Sequence, residues 1–371
     1  TDGTVHAWVK VPTLDHDDTT YIYIHYGQTI AQSDADATAN NVWAETGESQ
    51  EYVIVNHFMS ASDTDIDTEE LIGSVTGEGD DFNTNNMNAA NQVTGKIGKA
   101  LDMNEGITKD ERVCLEDEFS SDAEQIKCKG DNDIFDNQVS VRTVSLWYKA
   151  DAVDTRQVLF EEGSESKGQV IYLFDGKIFA CTSQFTSKCV SYQTTANEWH
   201  HVALVWASGT TSYLYHDGEE VATFTGKDNA DHSNPSALGN IASNARLQQT
   251  DGSGTNVVDY NDEGTKYSAF DGIIDEFRVT NTQLTSAQIK TMYNSESNDD
   301  FITTADIYVQ SISESVSLTD SISKTAGVNL TETATFDDSI SVAHVNKVTL
   351  SETIGLTDAV AEAHVNKVAL S

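Results

Sequence analysis

The sequence predicts an all-β protein built around a β-sandwich, and three observations carry that expectation. Val202, Leu204 and Trp206 alternate with Ala203 and Val205, so this strand is apolar on both faces, as between packed layers. Tyr213-Leu214-Tyr215 runs toward Asp217-Gly218, a tight hairpin turn in which Gly tolerates the positive φ that type I′ needs. The chain has only 2 prolines against 23 glycines, so its turns rely on Gly, Asn, Asp and Ser.

The elements follow in chain order. Val5, Ala7, Val9 and Val11 fall on one face of a first strand, and 21–27 (Tyr-Ile-Tyr-Ile-His-Tyr-Gly) reads as a second. These make a small β-domain over 1–45, and two strands alone are marginal, so their partners must come from elsewhere. The main sandwich spans 46–297. Its opening strand lies at 52–58, and an Asn- and Asp-rich stretch at 60–92 reads as a polar surface loop. Further strands are expected at 158–161, 170–174, 177–180, 190–192, 200–206, 213–215, 221–225 and 273–279. One helix, 286–293, closes the domain, with Thr285 and Gln288 at the spacing of a capping box.

From about 298 the composition shifts to Ser, Thr, Val and Ala, and an internal repeat sets in. Ser313-Glu314-Ser315-Val316-Ser317-Leu318-Thr319-Asp320 matches the stretches that begin at Thr331-Glu332 and Ser351-Glu352. The glutamates Glu314, Glu332 and Glu352 give a period of about 18–20 residues, which predicts an array of stacked or strung β units over 298–371. The competing expectation is a disordered Ser/Thr stalk, against which stands the alternation Val316/Leu318 and Ile354/Leu356.

At 371 residues the chain is long enough for two or three domains. It carries 60 acidic against 21 basic residues, a formal charge of −39, a surface that repels nucleic acid. Most of these carboxylates are expected to solvate loops. No apolar run approaches the ~20 residues of a membrane span. Because the chain starts at Thr1, it is expected to be a processed chain or a fragment.

The four cysteines form two close pairs, Cys114/Cys128 and Cys181/Cys189. Three connectivities are possible. The local pairs are favoured because short loops close at low entropy cost, and Cys181 and Cys189 flank a hairpin-like stretch. A zinc site is the alternative, without a C-x-x-C pair to support it. Disulfides imply an oxidising, extracellular location.

Four strings, in this order and at this spacing, resemble the laminin-G-like jelly roll of the concanavalin A-like lectin/glucanase superfamily over about 46–297. They are Val144-Ser145-Leu146-Trp147-Tyr148-Lys149, Glu198-Trp199-His200-His201-Val202-Ala203-Leu204-Val205-Trp206, Tyr213-Leu214-Tyr215-His216-Asp217-Gly218 and Phe270-Asp271-Gly272-Ile273-Ile274-Asp275-Glu276-Phe277. The strings A-W-V-K-V-P and Y-I-Y-I-H-Y-G resemble half of a β-domain that precedes such jelly rolls in prokaryotic surface proteins. The repeat wording resembles tandem repeats in large surface proteins of marine ammonia-oxidising archaea.

The resemblance implies extracellular adhesion or assembly rather than intracellular chemistry. It also implies a structural calcium held by Asp275 together with carbonyls near Asn56. The alternative is that Asp275 caps a turn or pairs with Arg278. Asp63-Thr64-Asp65-Ile66-Asp67 opens like a calcium loop but has Thr68 and Ser74 where an EF-hand needs Gly and Glu.

The superfamily includes glucanases, which place paired carboxylates on one strand. No E-x-D-x-E occurs here, so no enzymatic activity is expected. His200 and His201 read as half-buried structural histidines, and the isolated His57, His216 and His232 show no spacing that specifies zinc. Asn329-Leu330-Thr331 is a glycosylation sequon. Tyr260 and Tyr267 offer a weak aromatic platform in a polar loop. The expected function is a non-catalytic extracellular structural protein, a cell-surface filament or surface-layer component that self-associates through β-strands. The alternative is a calcium-supported, glycan-binding adhesin. Strand donation from the repeat tail into the incomplete N-terminal β-domain would give a head-to-tail polymer.

Overall fold

The computed structural model describes residues 8–9, 52–58, 73–75, 83–85, 87, 89–103, 112–115, 135, 139–163, 167–184, 186–227, 236–241, 244–248, 257–261, 269–297, 309–320 and 347–358. The N-terminal strands expected at 5–11 and 21–27, apart from Trp8 and Val9, lie outside them, as do the second repeat copy, Cys128, His232, Tyr267 and Asn329. The chain divides into two compact units, Thr1–Thr13 with Gln32–Ile302, and Leu14–Ala31 with Thr303–Ser371.

The first unit holds the sandwich. In chain order its strands are β1 (Tyr52–Asn56), β2 (Gly73–Val75), β3 (Asn83–Asn85), β4 (Gln92–Thr94), β5 (Lys99–Asp102), β6 (Arg112–Cys114), β7 (Val141–Ala150), β8 (Gln157–Gly163) and β9 (Lys167–Phe174). They continue with β10 (Lys177–Gln184), β11 (Thr186–Gln193), β12 (His200–Ala207), β13 (Thr211–His216), β14 (Glu219–Thr225), β15 (Ala237–Leu238), β16 (Asn244–Gln248), β17 (Val257–Asn261) and β18 (Gly272–Thr280). The helix α1 (Ser286–Ser297) follows.

A 9-stranded sheet runs β14-β13-β12-β7-β18-β1-β2, with β5 joined to β18 and β4 to β5. A 7-stranded sheet runs β11-β10-β9-β8-β15-β6-β3. Pairing within both sheets is antiparallel, and the chain crosses repeatedly from one sheet to the other, as in a jelly roll. Among the described residues no helix is long and apolar enough to cross a membrane.

The core follows from strand alternation. On β12, Val202, Leu204 and Trp206 face inward with Leu146 and Tyr148 of β7, Ile171 and Leu173 of β9, and Phe277 of β18. The opposite face of β12 is not wasted on solvent: Ala203 and Val205 pack with Tyr215 beneath Leu284 and Ile289 of the α1 region. The capping box forms as its spacing predicts. The Thr285 amide donates to Gln288 Oε1 (2.8 Å), and the Gln288 amide donates to Thr285 Oγ1 (3.3 Å). A third cluster, Val158, Val170, Tyr172, Phe179, Cys181 and Ile241, covers the outer face of the second sheet, with Tyr172 and Phe179 stacked 4.9 Å apart.

Two sequence expectations are corrected. The stretch 60–92 is not wholly a loop: β2 pairs with β1, and β3 pairs with β6. Strands of three residues such as Asn-Thr-Asn carry no periodicity or propensity, and only the register of a longer neighbour defines them. Tyr260 is not in a loop but on β17, opposite Ala245 of β16.

The second unit contains β19 (Val309–Asp320) and β20 (Lys347–Asp358), which pair in parallel. Glu314 stands opposite Glu352, Val316 opposite Ile354 and Leu318 opposite Leu356, so the first and third repeat copies lie in register.

Candidate functional site

The clearest constellation sits where β11 runs into the 194–199 turn, β12 begins and β13 turns into β14. The edge strand β11 lies against β13 and β14 here. His200 shares the inward face of β12 with Val202, and the β12–β13 register sets Val202 opposite His216. Both imidazoles therefore point into the same end of the sandwich, with ring centroids 4.7 Å apart. Asp217 follows His216 at the first position of the hairpin turn. Its φ of 51° and the 75° of Gly218 form the type I′ pair that the sequence implies.

The two imidazoles converge on one carboxylate oxygen. Asp217 Oδ2 lies 2.8 Å from His200 Nδ1 and 3.4 Å from His216 Nδ1. Asp217 Oδ1 accepts the His201 amide at 2.9 Å. His200 Nε2 meets Thr195 Oγ1 at 2.8 Å, and His216 Nε2 meets Tyr148 Oη at 3.1 Å and Thr194 Oγ1 at 3.3 Å. Burial pushes His216 down to about 4. Burial alone would raise Asp217, but the His200 hydrogen bond, the His216 charge and the His201 amide together hold it below its usual range. The Asp217 side chain is 30% exposed, and Tyr192 beside His216 is 43% exposed, so solvent reaches the site from one side.

His201 takes the other face of β12. It is buried between Trp147 (5.4 Å between centroids) and Tyr293 (6.3 Å), and burial pushes it down to about 3, with Arg278 adding to the shift. It is fully buried rather than half-buried as the sequence suggests, and its Nδ1 has no hydrogen-bond partner. The isolation of His216 in the sequence is what hid its grouping with His200; the hairpin register of β12 and β13 is the signal that unites them.

A second polar cluster is created by a bulge in β18. Asp275 pairs with Trp147 and Arg278 with Ser145, leaving one residue too many on β18, and Glu276 takes a φ of 50°. The bulge turns both carboxylates of Asp275 and Glu276 into buried positions. Glu276 accepts His57 Nδ1 (2.9 Å) and Arg278 Nη2, and His57 stacks on Trp8 at 3.9 Å. Arg278 Nη1 also reaches Glu296 of α1 at 2.5 Å, whose other oxygen accepts Trp147 Nε1 at 2.5 Å. Burial would raise Glu276, but Arg278 and His57 hold it low. This network fastens α1 to the sheet.

Asp275 sits opposite the 95–98 turn. Its Oδ2 accepts the Ile97 amide at 2.9 Å, its Oδ1 the Glu276 amide at 2.7 Å, and the Lys96 amide adds a third donor. Burial and the neighbouring Glu276 outweigh these donors and push it up to about 8. Asn56, opposite Phe277 on β1, turns its Oδ1 to the Phe58 amide at 2.7 Å. Asp275 thus has the turn-capping contacts that its sequence context allowed, and Arg278 pairs elsewhere. Cys181 and Cys189 stand directly opposite on β10 and β11 and are joined by a disulfide. Cys114 lies on β6.

No curated protein matches the chain. Among solved structures, the binding domain of Paraclostridial mosquitocidal protein 1 is similar at 14% identity and a TM-score of 0.43, over 67% of this chain and 53% of that one. The receptor-binding domain of botulinum neurotoxin type G follows at 10% identity and a TM-score of 0.43, over 67% and 52%. The binding domain of botulinum neurotoxin DC in complex with SialylT is similar at 10% identity and a TM-score of 0.35, over 51% and 40%. The chain thus spans about half the length of the first two domains, and at these identities and TM-scores the likeness says nothing of what it binds. In sequence, residues 128–262 match the laminin-G-like family model of the concanavalin A-like lectin/glucanases superfamily, in agreement with the jelly-roll topology of the strands they contain.

Proposed function

We propose that this chain is a non-catalytic extracellular structural protein, a cell-surface filament or surface-layer component that self-associates through β-strands. The observation that carries this reading is the register of β19 and β20, in which the first and third repeat copies pair in parallel, like residue opposite like. The separation between equivalent glutamates is 352 − 314 = 38 residues, and the 26 residues between the strands (321–346) contain the second copy. A parallel pair needs such a crossover. Paired strands thus stand two repeat periods apart in sequence, a spacing that fits proteins built of stacked repeats.

A two-stranded parallel sheet is not stable by itself. Among the described residues β19 and β20 pair only with each other, so the outer edges of both offer main-chain donors and acceptors to further strands. Added copies from the same chain lengthen a rod, and copies from a neighbour join subunits. A disulfide on the sandwich fits an oxidising exterior.

Deletion of 328–371 tests the reading. It removes the second and third copies and should leave monomers in sedimentation where the intact chain forms larger species. Equal association of both chains would overturn it. A glycan array separates the lectin alternative: selective sugar binding by the intact chain, with no association, favours that reading. Calcium enters as an ion that would displace the Lys96 and Ile97 amides from Asp275 near Asn56. A chelator that leaves the melting temperature of the intact chain unchanged removes it.

A further inference from the structure

We propose that His200, His216 and Asp217 form a binding site for one divalent transition-metal ion of the zinc class, open to solvent at its remaining position. One donor atom from each of the three residues lies within 4.8 Å of the other two. Bonds of about 2.0–2.2 Å to imidazole nitrogen and carboxylate oxygen place tetrahedral ligands about 3.3–3.5 Å apart. The separation of Asp217 Oδ2 and His216 Nδ1, 3.4 Å, already has this value. That of Asp217 Oδ2 and His200 Nδ1, 2.8 Å, is the length of a hydrogen bond, and replacing its proton by a metal ion opens it by about half an ångström. The two imidazole rings, with centroids 4.7 Å apart, are close enough for both to reach one ion.

The outer contacts are those of an oriented ligand set. A metal-bound Nδ1 leaves Nε2–H as the donor, and each Nε2 has an oxygen in place: Thr195 Oγ1 for His200, and Tyr148 Oη and Thr194 Oγ1 for His216. Asp217 Oδ1 is fixed by the His201 amide, which leaves Oδ2 for the ion. Such partners fix the ring orientation and the tautomer of metal-binding histidines. The donors select the metal. Two imidazoles and one carboxylate suit zinc, cobalt or nickel, whereas calcium requires six to eight oxygens. Access is from the side of Asp217 and Tyr192, and this open side leaves room for a water or a carboxylate from a ligand.

The test uses the intact chain, kept oxidised so that no cysteine thiol is available to the metal, and an excess of magnesium to occupy surface carboxylates. Titration with zinc chloride by calorimetry should give one equivalent. Cobalt chloride should give the intense visible absorption of a tetrahedral site. Asp217→Asn keeps a residue that tolerates the left-handed turn, and His216→Gln removes one imidazole. Each should weaken zinc binding at least about 100-fold, and Tyr148→Phe about 10-fold, while far-ultraviolet circular dichroism stays unchanged. A chain that takes up no zinc under these conditions overturns the proposal. So does uptake that is equal in the intact chain and in folded Asp217→Asn and His216→Gln.

Discussion

Acid should weaken the sandwich through His201, and the size of the effect follows from its surroundings. His201 is 1% exposed, between Trp147 and Tyr293, and its pKa is pushed down to about 3 by burial, against about 6.5 in an unfolded chain. Between these values the unfolded chain holds a proton that the folded chain does not. Stability from this group is therefore complete above pH 6.5 and is lost as pH falls, by about 1.4 kcal/mol per unit. Other groups move the total: His216 acts in the same direction, and Asp275, pushed up to about 8, acts in the opposite one. A difference measurement isolates His201. Its Nδ1 has no hydrogen-bond partner, so His201→Gln loses ring packing but no bond at that atom. The variant should be less stable by about 1–3 kcal/mol at pH 7. The gap should then shrink by about 1.4 kcal/mol per pH unit below 6.5, so that the two chains converge near pH 5. Urea unfolding followed by the fluorescence of buried Trp147 and Trp206 reads this directly. A gap that stays constant from pH 7 to 5 would refute the reasoning.

Other perturbations have equally definite outcomes. Reducing Cys181–Cys189, which closes a loop of 8 residues, should lower the unfolding free energy by up to about 2.5 kcal/mol, checked by unfolding with and without reductant. Arg278→Met strands the Glu276 and Glu296 carboxylates in the interior and should cost about 3–5 kcal/mol in chemical denaturation, a loss that shrinks in acid as they take up protons. Gly272→Ala places a Cβ at a φ of 149° against the Lys149 carbonyl and the Ala150 backbone, and should cost more than about 3 kcal/mol, measured as the shift in urea midpoint.

What the sequence made legible was whatever has a period or a turn signature. The β12–β13 hairpin was readable because alternation and the Asp217-Gly218 turn agree, and the α1 helix because Thr285 and Gln288 announce its start. β3, β6 and β15 were not, since two or three residues hold no pattern and take their register from longer neighbours. The β18 bulge was hidden for a different reason. Gly-Ile-Ile-Asp-Glu-Phe-Arg-Val reads as a plain strand, yet one residue of extra length leaves the adjacent Asp275 and Glu276 both buried. The His200–His216–Asp217 grouping depends on hairpin register, which places residues 16 apart at the same end of the sandwich. In the tail the repeat was visible, but the pairing of alternate copies, β19 with β20, emerges only from the three-dimensional register.

Electron microscopy of the purified intact chain tests self-association most directly. Extended polymers or rods that shorten or vanish on deletion of 328–371 are the predicted result. A field of isolated, uniform particles at concentrations well above those of other self-assembling proteins would contradict the account.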